Sequence, residues 1–260
     1  MIPPLTPAQR LSADRRFNQL VNHFDAPDSS YTDYDRVKLV RLTYEYARSE
    51  ESKGYFLRAF FESAGLEIDA EQEDIDLTDA ATQAKLRDSL VNFAEYLFEN
   101  FFLPLKSSTK KTPQPSPASH SAVQRAQGGE GQNFLGTPER VLHGFFGDFQ
   151  IYFEPVDQEP HTYRINTFIQ DIMEYEFPIT RTLYLTESRT IDPPSPRLLS
   201  IHNAIAHILH LSAAGEYIDR ILQDLEEHGV REHGSTELDR FVKLRLNGWS
   251  VSEVNGYHTR

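Results

Sequence analysis

Phe149-Gln150-Ile151-Tyr152-Phe153-Glu154-Pro155, then Val156-Asp157-Gln158-Glu159-Pro160, then His161-Thr162-Tyr163-Arg164-Ile165-Asn166-Thr167-Phe168: within this stretch the period of the chain changes. The first piece is an apolar, aromatic run that a proline ends. The last alternates polar and apolar residues, and the middle is turn chemistry, so the three together predict an antiparallel hairpin. Thr180-Arg181-Thr182-Leu183-Tyr184-Leu185-Thr186 reads as a third strand. A small sheet set among helices means an α+β chain, because strands follow one another here without alternating with helices.

Upstream, residues 8–105 read as helix. Leu11, Phe17, Leu20, Val21 and Phe24 recur at helical spacing, and Asp25-Ala26-Pro27-Asp28 supplies a stop. A second helix is expected to start near Asp33 or Asp35. After Gly54 comes an apolar segment, Tyr55 to Phe61, that closes at Gly65. Thr78-Asp79-Ala80-Ala81 has the residues of an N-cap for a long helix, which Pro104 is expected to end. Downstream, helices are expected from Arg197 to Leu211, around Tyr217 to Leu225, and over about Glu237 to Leu246.

Residues 106–136 turn to Lys, Ser, Thr, Pro, Gln and Gly, with Pro113, Pro115 and Pro117 at alternate positions. So little apolar area cannot offset the entropy of ordering a backbone, and the segment reads as a disordered linker. The chain then divides into a helical lobe over 1–105, this linker, and an α+β part over 137–260. The two flanking parts are acidic and the linker is basic, for a total charge of −13. Acidic lobes are a poor footprint for phosphate backbones, so strong DNA binding is not expected. The chain holds no cysteine, which removes disulfides, thiolate metal sites and a cysteine nucleophile. Neither a signal-peptide pattern nor a membrane-spanning run is read, and an intracellular protein is expected.

Several constellations could carry chemistry. His207 and His210 stand three apart on one helix face, with Glu216 nearby, and form a candidate polar cluster; packing is the competing reading. Tyr44, Tyr55, Phe60, Phe93 and Phe101 could line an apolar pocket, although rings at helical spacing are more commonly core. Glu71, Glu73, Asp74 and Asp76 lack calcium-loop spacing and read as exposed loop. Gly128-Gly129-Glu130-Gly131 lacks the lysine of a phosphate loop, and Ser195 has no nucleophile elbow.

The phrases Gly147-Asp148-Phe149, Phe153-Glu154-Pro155, Pro160-His161-Thr162-Tyr163, Thr182-Leu183-Tyr184-Leu185-Thr186-Glu187, Pro194-Ser195-Pro196-Arg197-Leu198-Leu199 and the run from His207 to Ile218 resemble a group of fungal proteins described as HNH nuclease domain-containing. The helical first part, and a linker ending in Gly136-Thr137-Pro138-Glu139-Arg140, are similar to the same family's N-terminal half. The resemblance implies that several tens of residues of a ββα-metal unit belong between Val141 and Leu142 and are missing. It also implies that His143 is the last metal-ligand position of the motif, nine residues after an asparagine. Phe134 stands there instead, Asn133 is one place off, and the general-base histidine has no counterpart.

The expectation is therefore a degenerate or truncated HNH-nuclease-like protein without nuclease activity and without a cofactor. If the missing stretch belongs to the true product, the resemblance implies a DNA endonuclease using Mg²⁺ or a similar ion. Two other readings stay open. One is a protein that binds an apolar small molecule, or guides a cyclisation of fungal specialised metabolism by shape. The other is a protein-interaction module.

Overall fold

The computed structural model describes residues 4–25, 33–69, 74–109, 138–169, 178–183 and 193–228. Residues 128–134, the C-terminal part of the expected third strand and the expected helix over 237–246 lie outside them. The architecture is α+β. In chain order it comprises α1 (Pro7–Phe24), α2 (Arg36–Glu45), α3 (Glu50–Ser63), α4 (Ala80–Leu97), a π-helical turn (Phe98–Phe102), α5 (Leu103–Thr109), α6 (Pro138–Gly147), β1 (Ile151–Pro155), β2 (Thr162–Thr167), β3 (Ile179–Thr182), α7 (Pro196–Leu211) and α8 (Ala214–His228). Among the described residues no helix is long and apolar enough to cross a membrane.

Side chains that satisfy the first free N–H groups set the helix starts. Thr6 and Gln9 form a reciprocal capping box on α1, and Asp35, Ser49 and Asp79 accept from the amides of Lys38, Ser52 and Thr82. Ser49 places the start of α3 ahead of Gly54, so the helix runs through that glycine and does not begin after it. At its far end Gly65 takes φ +65°, and the Leu66 amide reaches back to the Phe61 carbonyl at 2.9 Å. That is the left-handed closure for which glycine is suited.

Pro104 does not end the helical run, contrary to the sequence expectation. Proline brings no N–H and crowds the carbonyl four residues back. The π-turn just before it shifts the pairing, with the Leu103 amide bonding the Phe98 carbonyl, and the chain continues as helix to Thr109. The first four residues of the expected linker are thus helical.

The sheet has the order β1-β2-β3, antiparallel throughout. Ile151 faces Thr167 and Phe153 faces Ile165; Thr162 of β2 faces Thr182 of β3. β1 is an edge strand, and Asn203 of α7 donates to its Phe153 carbonyl at 3.0 Å, covering part of what an edge leaves open.

Two apolar cores result. The first joins Phe17 and Leu20 of α1, Val37, Val40 and Tyr44 of α2, Leu57, Phe60 and Phe61 of α3, and Leu90 and Phe93 of α4. The second joins Leu39 and Leu42 of α2, Phe98 and Phe102 of the π-turn, Phe149 of the turn after α6, Ile205 and Leu209 of α7, and Ile218 of α8. Helix α2 supplies both cores from two apolar stripes on opposite faces, with the charged Arg36, Lys38, Arg41 and Glu45 on the sides between them. The parts of the chain before and after residues 110–137 therefore share a core. Tyr34, fully buried, stacks on Phe98 at 4.5 Å and lies 5.6 Å from Tyr217 across that seam.

Candidate functional site

The loop residues between α6 and β1, the end of β2, the end of α7 and the start of α8 enclose a cleft of about 160 Å³. Its charged groups come from four places in the sequence: Lys106 on α5, Asp148 after α6, His210 on α7, and Glu216 and Asp219 on α8. Phe168, Leu209 and Phe149 supply apolar wall. Glu216 and Asp219 are three apart on one helix, so both reach the same side.

Lys106 is almost fully buried. Its ammonium donates to the Gly215 carbonyl at 2.9 Å and to Asp219 Oδ2 at 2.6 Å. A buried ammonium needs both a counter-charge and hydrogen-bond acceptors, and the opening of α8 provides the two together. Phe149 holds φ +59° in the turn that closes α6, where the Gln150 amide bonds the Phe145 carbonyl at 2.8 Å. A bulky side chain in the left-handed region costs about 1–2 kcal/mol, which burial of the ring in the second core offsets. Ala213 repeats the device at the end of α7, at φ +60°.

His210 stacks on Phe168 at 4.2 Å, and the edge of the same ring meets His207 at 5.1 Å. Burial holds the His210 imidazole below its ordinary range; Glu216 pulls the other way and His207 adds to the lowering. The sequence-read cluster of His207, His210 and Glu216 is split in the structure. His210 and Glu216 line the cleft, whereas His207 lies in an aromatic group with Tyr46 at 5.2 Å and Tyr152 at 4.4 Å and donates from Nδ1 to the Asn203 carbonyl at 2.9 Å. Among the described residues no three His, Asp or Glu side chains converge on a common point that could hold a metal ion.

The other sequence-read residues fall as follows. His143 is exposed on α6. Tyr44, Phe60 and Phe93 are buried in the first core, packed through Phe17 and Phe56 with ring centroids 4.9–5.6 Å apart. Burial pushes the Tyr44 phenol well up, helped by the hydrogen bond it donates to Asp14 at 2.5 Å. Tyr55 is 45% exposed and lines a separate open groove of about 230 Å³ with Arg10, Glu50 and Arg58, and Phe101 is 47% exposed on the π-turn. Asp74 pairs with Arg15, and Asp76 accepts from Thr78. Ser195 occupies the N-cap position of α7.

Lys106, Asp148, Phe168 and Asp219 were not singled out in the sequence. Lys106 was masked by the basic composition of the segment it opens, and the only local hint was the apolar frame of Leu103 and Leu105 around it. What the cleft can do is bounded by its groups. Three carboxylates, one committed ammonium and one depressed imidazole offer ionic and hydrogen-bond recognition, with His210 able to take or give a proton. No family model, curated protein or solved structure matches this chain.

Proposed function

We propose that this chain is an HNH-nuclease-like scaffold that has lost phosphodiester cleavage and acts by binding, with the cleft around Lys106, His210 and Glu216 as its recognition surface. The observation that carries the reading is the fate of His143. A metal ligand in a nuclease works only when other donors converge on the same ion and leave a position open for water and phosphate. His143 is exposed, and one turn further along α6 the backbone and ring of Phe146 are committed to His202 of α7. The acidic charge of −13 supports a partner other than DNA.

The test is incubation of the purified protein with supercoiled plasmid in the presence of Mg²⁺ or Mn²⁺. The expected result is no nicking, and the same trace background for His143→Ala. Cleavage that the His143→Ala variant loses would sink the proposal and favour a metal-dependent endonuclease.

A further inference from the structure

His202 of α7 lies flat between two phenylalanines of the α6 corner. The Phe146 ring is 3.8 Å away at an interplanar angle of 8°, and the Phe149 ring 4.7 Å away at 19°. Nε2 is 2.8 Å from the Phe146 carbonyl oxygen. A carbonyl can only accept, so Nε2 carries the hydrogen and, in the neutral ring, Nδ1 is a bare acceptor. Nδ1 is buried and has no hydrogen-bonding partner among the described residues.

A second proton would put an N–H donor and a positive charge at Nδ1. The phenylalanine faces can attract a cation above and below the ring plane. They cannot accept a hydrogen bond that points within that plane, so the charged ring is poorly held where the neutral ring fits. We infer that His202 is an acid-sensitive latch: protonation drives its ring out of the stack, releases the C-terminal turn of α6 and uncovers Phe146 and Phe149. Release also lets Phe149 leave its left-handed φ of +59°, which its packing on His202 helps maintain.

The charged and titratable groups described on the packed elements are His143 on α6, Asp148 in its turn, Tyr152 and Glu154 on β1, and Arg197, His207 and His210 on α7, with Arg48 held at the Ser200 carbonyl. None of them is among the causes that set the His202 equilibrium. Burial holds it below the ordinary 6.5, and only the Phe146 carbonyl opposes this. The folded state thus binds fewer protons than the unfolded state. The latch is at full strength above about pH 6.5 and weakens as pH falls from there toward the lowered folded value.

The full chain, isotopically labelled, tests this by NMR and amide hydrogen exchange between about pH 8 and pH 5. The expected result is an Nε2–H tautomer at the upper end. Protection of the Asp148, Phe149 and Gln150 amides should then fall by up to about tenfold per pH unit from about pH 6.5 down to the folded value and level off below it, beyond the intrinsic pH dependence of exchange. The His202→Gln variant can still donate to the Phe146 carbonyl but does not titrate, so its protection should not depend on pH. An Nδ1–H tautomer in the wild type, a His202 that titrates without loss of protection, or a Gln variant with the wild-type pH dependence each overturns the inference. Should the Gln variant not fold, the wild-type tautomer and protection profile decide it alone.

Discussion

Lys106 and Asp219 form a pair whose two members are in different surroundings: the lysine side chain is 4% exposed and the aspartate 37%. This asymmetry decides which substitution hurts. In Lys106→Met the buried stem is kept, the buried charge is gone, and Asp219 can be met by water, so the cost is expected to be no more than about 1 kcal/mol. In Asp219→Ala the ammonium stays buried with the Gly215 carbonyl as its one remaining acceptor of the two, and a loss of about 3 kcal/mol is expected. Urea unfolding of the two variants measures this. Equal losses, or a larger one for Lys106→Met, would show that the pair stabilises by Coulomb attraction instead of merely being tolerated. None of this was legible at the residue, since a lysine opening a Ser/Pro-rich stretch looks solvated until α8 is placed over it. His207 and His210 were half legible. Their spacing gave the shared face, but the rings around them, Phe168, Tyr152 and Tyr46, come from just past β2, from β1 and from the C-cap of α2.

The starts of α2 and α4 were legible because capping is local chemistry: Asp35 and Asp79 need only the amide three residues ahead. Replacing Asp79 by alanine removes the acceptor for the Thr82 amide and hydroxyl, at 2.8 and 2.7 Å, and is expected to cost about 1 kcal/mol. Chemical denaturation followed by far-UV circular dichroism would register the loss, whereas an unchanged midpoint would mean that water replaces the cap without penalty. The end of α4 was misread for a different physical reason. Proline forbids one hydrogen-bonding pattern but not the neighbouring one, and a single π-turn admits Pro104 without breaking the run. That continuation matters for the site, because it carries Lys106 two residues past the proline and into the cleft. The hairpin was read within two residues of its observed ends, since alternation and a proline stop are both short-range signals.

At the scale of the molecule, the sequence suggested two lobes, and the second core is what joins them. Periodicity marks which face of a helix is apolar but not which helix will cover it, so the double allegiance of α2 and the stack of Tyr34 on Phe98 could not be read in advance. Their consequence is mechanical: the core that holds the cleft is made partly of residues 34–103 and partly of residues 149–218. Phe98 is the place to test this, being fully buried, stacked on Tyr34 and 5.5 Å from Tyr217. Phe98→Ala leaves a cavity that this ring-filled seam cannot close, and a loss of about 3–5 kcal/mol is expected. That is a large share of the roughly 5–15 kcal/mol a folded chain has in total. Because α2 and Leu97 also pack on the first core, the loss should be felt by α1 and α3 as well as by α7 and α8. Hydrogen exchange read separately on α1 and α7 should therefore show both helices losing protection together along one urea transition. If α1 keeps its protection while α7 melts, the two cores unfold independently and the cleft belongs to a separable unit.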